Sequence, residues 1–129
     1  MEAKQLQAVG LFASLGKQDL ERLARWTDEV SVKQGDELAT EGRFAHEFFV
    51  IEDGTAEVLQ AGSRIAELGP GDFFGEIGLL ETERRTATVV ATTPMRVIVM
   101  FQREFKQMEK EMPLVADRVR SAIRARLDP

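Results

Sequence analysis

Between Asp19 and Thr27 the apolar positions Leu20, Leu23 and Ala24 recur at i, i+3 and i+4, while Asp19, Glu21, Arg22 and Arg25 fall mostly elsewhere. That spacing gathers one apolar stripe and predicts a helix, with Gly16 as its N-cap. A shorter helix is expected near Ala3–Val9, with Leu11, Phe12 and Leu15 packed between the two. After Trp26 the period changes. Short segments rich in β-branched and aromatic residues follow at Val30–Val32, Glu37–Thr40, Glu47–Glu52, Thr55–Leu59, Arg64–Leu68, Ala87–Ala91 and Met95–Phe101. Glycine turns separate them at Gln34–Gly35–Asp36, Asp53–Gly54, Ala61–Gly62–Ser63 and Gly69–Pro70–Gly71. Asp53–Gly54 between FFVIE and TAEVL predicts a hairpin, since both residues tolerate positive φ. Many short strands with glycine turns predict an antiparallel sandwich or barrel. Beyond Pro113, which suits the first turn of a helix, Val115, Val119, Ile123 and Leu127 form a narrow apolar stripe beside Arg118, Arg120, Arg124 and Arg126.

Composition narrows the chemistry. The 129 residues fit one domain on ordinary size expectations. Apolar residues make up 43% of the chain, and the net charge of −5 argues against general nucleic-acid binding. There is no cysteine and one histidine, His46. Disulfides, zinc fingers, thiol nucleophiles and sites built from several imidazoles are thereby excluded. His46 itself reads as a surface residue of a polar turn. No apolar run reaches the roughly 20 residues of a membrane span, and the N-terminus lacks a signal-peptide layout, so a cytoplasmic location is expected.

One glycine-rich stretch breaks the strand pattern: FFGEIGLLETERRTATVVA, residues 73–91. Gly75 and Gly78 let the backbone approach a ligand closely. A single turn at Glu76–Leu80 would open with unpaired N–H groups suited to an anion. Arg85, at the entrance of the following strand, offers a planar fork matching two phosphate oxygens. Glu76 is then left to accept hydrogen bonds from hydroxyls. A ligand bearing both a phosphate and a sugar hydroxyl satisfies these groups together. Phe48, Phe49, Phe73 and Phe74 read as core, and Arg84 with Glu81 and Glu83 as a solvated charge cluster.

Phe74-Gly75-Glu76-Ile77-Gly78-Leu79-Leu80, a spacer, and Arg85-Thr86-Ala87-Thr88 resemble the phosphate-binding cassette of the cyclic nucleotide-binding domain family, as in Crp, the regulatory subunits of protein kinase A and cyclic-nucleotide-gated channels. The resemblance covers nearly the whole chain. It implies an α+β fold: an antiparallel β-roll, or jelly roll, flanked by N-terminal and C-terminal helices. The expected layout is N-terminal helices over 1–28, the roll over 29–101 with the cassette at 73–88, and C-terminal helices forming a lid over 102–129. By the same resemblance Glu76 receives the ribose 2′-hydroxyl and Arg85 pairs with the cyclic phosphate. Backbone amides of Gly75, Ile77, Gly78 and Ala87 hold the phosphate, and Thr86 offers its hydroxyl to the phosphate or a guanine edge. Arg84 stands where the family usually has proline; the R-T-A spacing selects Arg85 as the inward arginine. Val115, Val119, Arg120 and Ile123 are the candidates for the lid or for a homodimer seam.

The function so implied is a non-enzymatic sensor of cAMP or cGMP that repositions its C-terminal helices and is read by an effector protein, with no cofactor and no direct contact with nucleic acid or membrane. No helix-turn-helix, kinase or channel segment is read after the last helix, which sets aside DNA binding of the Crp type for this chain. A cupin-like metalloenzyme would need more histidines. An orphan of the same fold, serving as a protein-interaction module, is the alternative.

Overall fold

Helix α1, Lys17–Ala24, starts where Gly16 leaves the helical region at φ −69° and ψ 161°, its carbonyl accepting from the Leu20 N–H at 3.0 Å. It stops at Ala24, three residues short of the expected Thr27. Arg25 and Trp26 tighten the last turn onto the carbonyls of Arg22 and Leu23, and the Thr27 hydroxyl lies 3.4 Å from the Leu23 carbonyl. The computed structural model describes residues 12, 15–43, 46–75 and 84–127, with the backbone alone at 122, 123 and 125–127. The helix expected at Ala3–Val9 and the cassette positions Glu76, Ile77 and Gly78 lie outside the described residues.

Among the described residues eight strands follow α1: β1 (Asp28–Val32), β2 (Glu37–Ala39), β3 (Glu47–Asp53), β4 (Ala56–Gln60), β5 (Ser63–Leu68), β6 (Phe73–Phe74), β7 (Thr88–Ala91) and β8 (Met95–Phe101). Two helices complete the chain, α2 (Gln102–Glu111) and α3 (Pro113–Leu127), the latter opening on the proline as expected. The strands form two antiparallel four-stranded sheets, β1-β8-β3-β6 and β2-β7-β4-β5. Every connection but β4–β5 passes from one sheet to the other, the hallmark of a jelly roll.

Two cores result. Phe49, Ile51, Phe74, Val97 and Val99 point between the sheets. Phe48, Val50, Ile98 and Met100 point the other way, under the helices, where they meet Leu20, Leu23, Phe105, Met108 and Val119. The central strands β3 and β8 are therefore buried on both faces, which is why their apolar residues run consecutively instead of alternating. Phe74 stacks on Phe49 at 4.8 Å and Phe73 meets Phe48 at 5.5 Å, so all four phenylalanines pack.

Asp53–Gly54 is not a hairpin. It carries the chain from β3 in one sheet to β4 in the other. Gly54, at φ +89°, lies against the β7–β8 connection: a Cβ there would strike the Pro94 carbonyl and come within 2.8 Å of Met95 Cγ. The two corners are tied by Thr55 N–H to Thr93 Oγ1 at 2.9 Å and a Thr55–Thr92 hydroxyl contact at 2.7 Å. The hairpin is β4–β5, whose two linking residues, Ala61 and Gly62, both take positive φ (52° and 81°).

Candidate functional site

The site forms where β6 leaves one sheet and β7 enters the other. Arg85 is fixed first by its backbone: its N–H donates to the Arg43 carbonyl at 2.7 Å, and its own carbonyl accepts from Gly42 at 2.9 Å. Successive residues of an extended chain point to opposite sides. Arg84 thus turns outward, where Nη1 donates to the Gly42 carbonyl at 2.8 Å, while Arg85 turns inward and is only 9% exposed. Its Nη2 donates to the Glu47 carbonyl, at the start of β3, at 2.7 Å.

Gly75 closes the other side. Its φ is +80°, a region open to glycine but strained for other residues. A Cβ there would stand 2.5 Å from Arg85 Nη1 and 2.6 Å from the Glu47 carbonyl. Glycine at this position lets the guanidinium approach the backbone that opens the cassette. The sequence placed Gly75 and Arg85 together through their motif; the structure supplies the third partner, the Glu47 carbonyl, which no side-chain pattern signals.

Beyond Arg85 the loop is tied to the β4–β5 end of the second sheet. Gln60 Nε2 donates to the Thr86 carbonyl at 3.2 Å, and the Ala61 N–H donates to Glu41 Oε1 at 3.0 Å. The Thr86 side chain is exposed and Ala87 is half-buried. On the inner face of that sheet Val58 pairs directly with Ala66. Val58 packs on the inter-sheet core, yet Ala66 beside it is exposed, so this end of the inner face is uncovered. Ile65, the extra residue of the bulge between the Val58–Ala66 and Leu59–Arg64 pairs, is 56% exposed. Sequence reasoning did not single out Val58, Ile65 or Ala66. The alternation of Ala56, Glu57 and Val58 was the available signal on β4, but on β5 the bulge at Ile65 breaks the period.

With this geometry in place, the family model of the cyclic nucleotide-binding domain matches residues 29–111. The chain belongs to the cyclic nucleotide-binding domain family. A cGMP-dependent protein kinase from Eimeria tenella is 37% identical over 84 residues, 65% of this chain and 8% of its own length. The cAMP-dependent protein kinase regulatory subunit of Yarrowia lipolytica is 33% identical over 105 residues, 80% of this chain and 28% of its own. The chain thus spans less than a third of these curated relatives. The solved regulatory subunit of a cAMP-independent protein kinase A from Trypanosoma brucei, a variant bound to cAMP in its A site, superposes with a TM-score of 0.82 at 19% identity. That superposition covers 98% of this chain and 46% of the other and shows the shared roll. The family is a regulatory binding domain that is not itself catalytic, although its members include parts of kinases.

In this cyclic nucleotide-binding domain the expected lid positions lie as follows. Val115 and Val119 are 1% and 0% exposed, in the core beneath the helices. Arg120 bonds the carboxylates of Asp117 and Glu109, with its guanidinium 5.4 Å from the Phe105 ring centre. The Ile123 side chain lies outside the described residues. His46 is exposed, and among the described residues no group of three or more His, Cys, Asp or Glu could hold a metal ion. No described helix is long and apolar enough to cross a membrane.

Proposed function

We propose that this domain is a sensor for a 3′,5′-cyclic nucleotide, cAMP or cGMP, acting on an effector protein and catalysing no reaction itself. The observation that carries the reading is the inward guanidinium of Arg85, held by the Glu47 carbonyl against a Gly75 backbone that admits no side chain. A planar, pre-oriented fork recognises two phosphate oxygens with little loss of side-chain freedom. Glu76 would receive the ribose 2′-hydroxyl. The amides of Gly75, Ile77, Gly78 and Ala87 would complete the phosphate cradle, and the exposed Thr86 would sort the purines. The uncovered end of the β4–β5 inner face, at Val58 and Ala66, would supply an apolar wall for the base. The matching relatives are named for both cGMP and cAMP dependence, which supports the ligand class without choosing between its members.

Signalling would use α2 and α3. Nucleotide can move them only by its difference in affinity between two arrangements. One arrangement is in view: Val115 and Val119 are buried under the roll and Arg120 is paired. Release of α3 would free these side chains for a lid over the base or for a second copy of the chain.

Calorimetric titration of the folded protein with cAMP, cGMP and 5′-AMP tests the reading. Saturable binding of a cyclic nucleotide below millimolar concentration is expected, with 5′-AMP far weaker. Arg85→Ala should weaken binding by about 2–5 kcal/mol, and Arg84→Ala should leave it nearly unchanged. Absence of saturable heat with both cyclic nucleotides, from a sample showing cooperative unfolding, would mean an orphan that serves protein contacts instead.

A further inference from the structure

On α2, Arg103, Lys106 and Lys110 fall at i, i+3 and i+7 and so share one face. With His46, Phe101 and Gln107 they line a groove of about 640 Å³, remote in sequence from the cassette. Its walls are tied together: the Gln102 N–H donates to the His46 carbonyl at 2.8 Å, joining the start of α2 to the start of β3. The lining is not purely ionic, because Phe101 is 37% exposed.

The charges here differ from Arg118 and Arg120 of α3. Arg118 is matched by Asp19, and Arg120 by Asp117 and Glu109. Among the described residues Arg103, Lys106 and Lys110 take part in no ion pair. A cationic groove therefore interrupts the surface of a protein whose net charge is −5.

The geometry points to a docking groove for an acidic peptide segment that carries an apolar side chain. Seven residues of helix set the outer cations roughly 10 Å apart, farther than a single phosphate or carboxylate reaches. The matching anion is elongated, with charges spaced about one helical turn apart. Phe101 gives it an apolar anchor point, the kind of contact that dominates peptide recognition. Nucleic acid and anionic membrane fit less well. Either presents unbroken negative charge over a wide face, which would also meet Glu104, Glu109 and Glu111 of the same helix and the negative charge of the whole protein.

The test is fluorescence anisotropy with a labelled peptide alternating glutamate and phenylalanine. Controls are the same peptide with glutamine for glutamate, a heparin fragment, and vesicles containing phosphatidylserine. Micromolar binding of the acidic peptide is expected, weakened by salt and reduced at least tenfold in the Lys106→Glu/Lys110→Glu double variant. Both lysines are exposed, and cooperative unfolding of the variant, measured first, shows that any loss of peptide binding is not a loss of fold. The proposal fails if the acidic peptide does not saturate, if the double variant binds it equally well, or if heparin or vesicles bind more tightly. Because the nucleotide titration is a separate readout, failure here leaves the sensor reading untouched, and the reverse also holds.

Discussion

Gly35, Gly54 and Gly75 share a positive φ but not a neighbourhood. A Cβ at Gly35, at φ +92°, would face open space, whereas one at Gly54 would meet Pro94 and Met95, and one at Gly75 would meet Arg85 and Glu47. Backbone strain alone costs about 1–2 kcal/mol, while overpacking adds roughly 1–3 kcal/mol. Gly35→Ala should therefore lower stability by about 1 kcal/mol and Gly54→Ala by about 2–5 kcal/mol, as urea midpoints would register. Equal effects at the two sites would contradict the corner contact. The inward turn of Arg85 was expected at this scale from the R-T-A spacing of the cassette it resembles. Its anchoring on Glu47 was not. A carbonyl acceptor 38 positions away leaves no mark in side-chain chemistry.

At the scale of elements, β1, β3 and β8 bring Glu29, Glu52 and Arg96 to one end of their sheet. Glu29 pairs with Arg96 at 3.0 Å. Glu52 sits at the irregularity between the Ile51–Val97 and Asp53–Arg96 pairs, with Oε1 buried. Burial, reinforced by the hydrogen bond and negative charge of Glu29, pushes the Glu52 carboxyl up to about 7, against a weaker opposing pull from Arg96. The folded state thus holds this proton more tightly than the unfolded chain, whose carboxyl titrates near 4.5. The resulting stabilisation is complete below the unfolded value and is lost as pH rises through about 7. Denaturant midpoints should fall between pH 5 and pH 8, and Glu52→Gln should flatten that slope. An unchanged slope in the variant would move the effect to other groups. The same sheet shows why one predicted hairpin was wrong. Asp-Gly reports a backbone able to turn, and it reports nothing about which sheet receives the next strand. β6 was missed because two residues are too few to show a period.

At the scale of the whole molecule, the roll, the cassette entrance and α2–α3 form one packed unit in which the helices cover the sheet beneath Phe48, Val50, Ile98 and Met100. A ligand that binds only the folded state raises its stability by about 2.7 kcal/mol at a hundredfold excess over Kd. The melting temperature should therefore rise with added cAMP or cGMP but not with 5′-AMP, and Arg85→Ala should abolish the rise. A shift that persists in the variant would place the nucleotide elsewhere on the molecule.

Local chemistry predicted the helix–roll–helix order and the antiparallel character, and the resemblance of the cassette brought in the family and the convergence of Gly75 and Arg85 on one site. Each of these depends on neighbours in sequence: a stripe at helical spacing, a glycine able to take positive φ, a fork at a strand entrance. Folding in three dimensions decided the rest. It determined which strands share a sheet, that Val115 and Val119 are buried, that Ala66 and Ile65 of β5 remain exposed, and that three cations of α2 line a groove with Phe101. These depend on which distant surfaces meet, and burial between segments far apart in the chain is set by the packing of the whole rather than by any short run of residues.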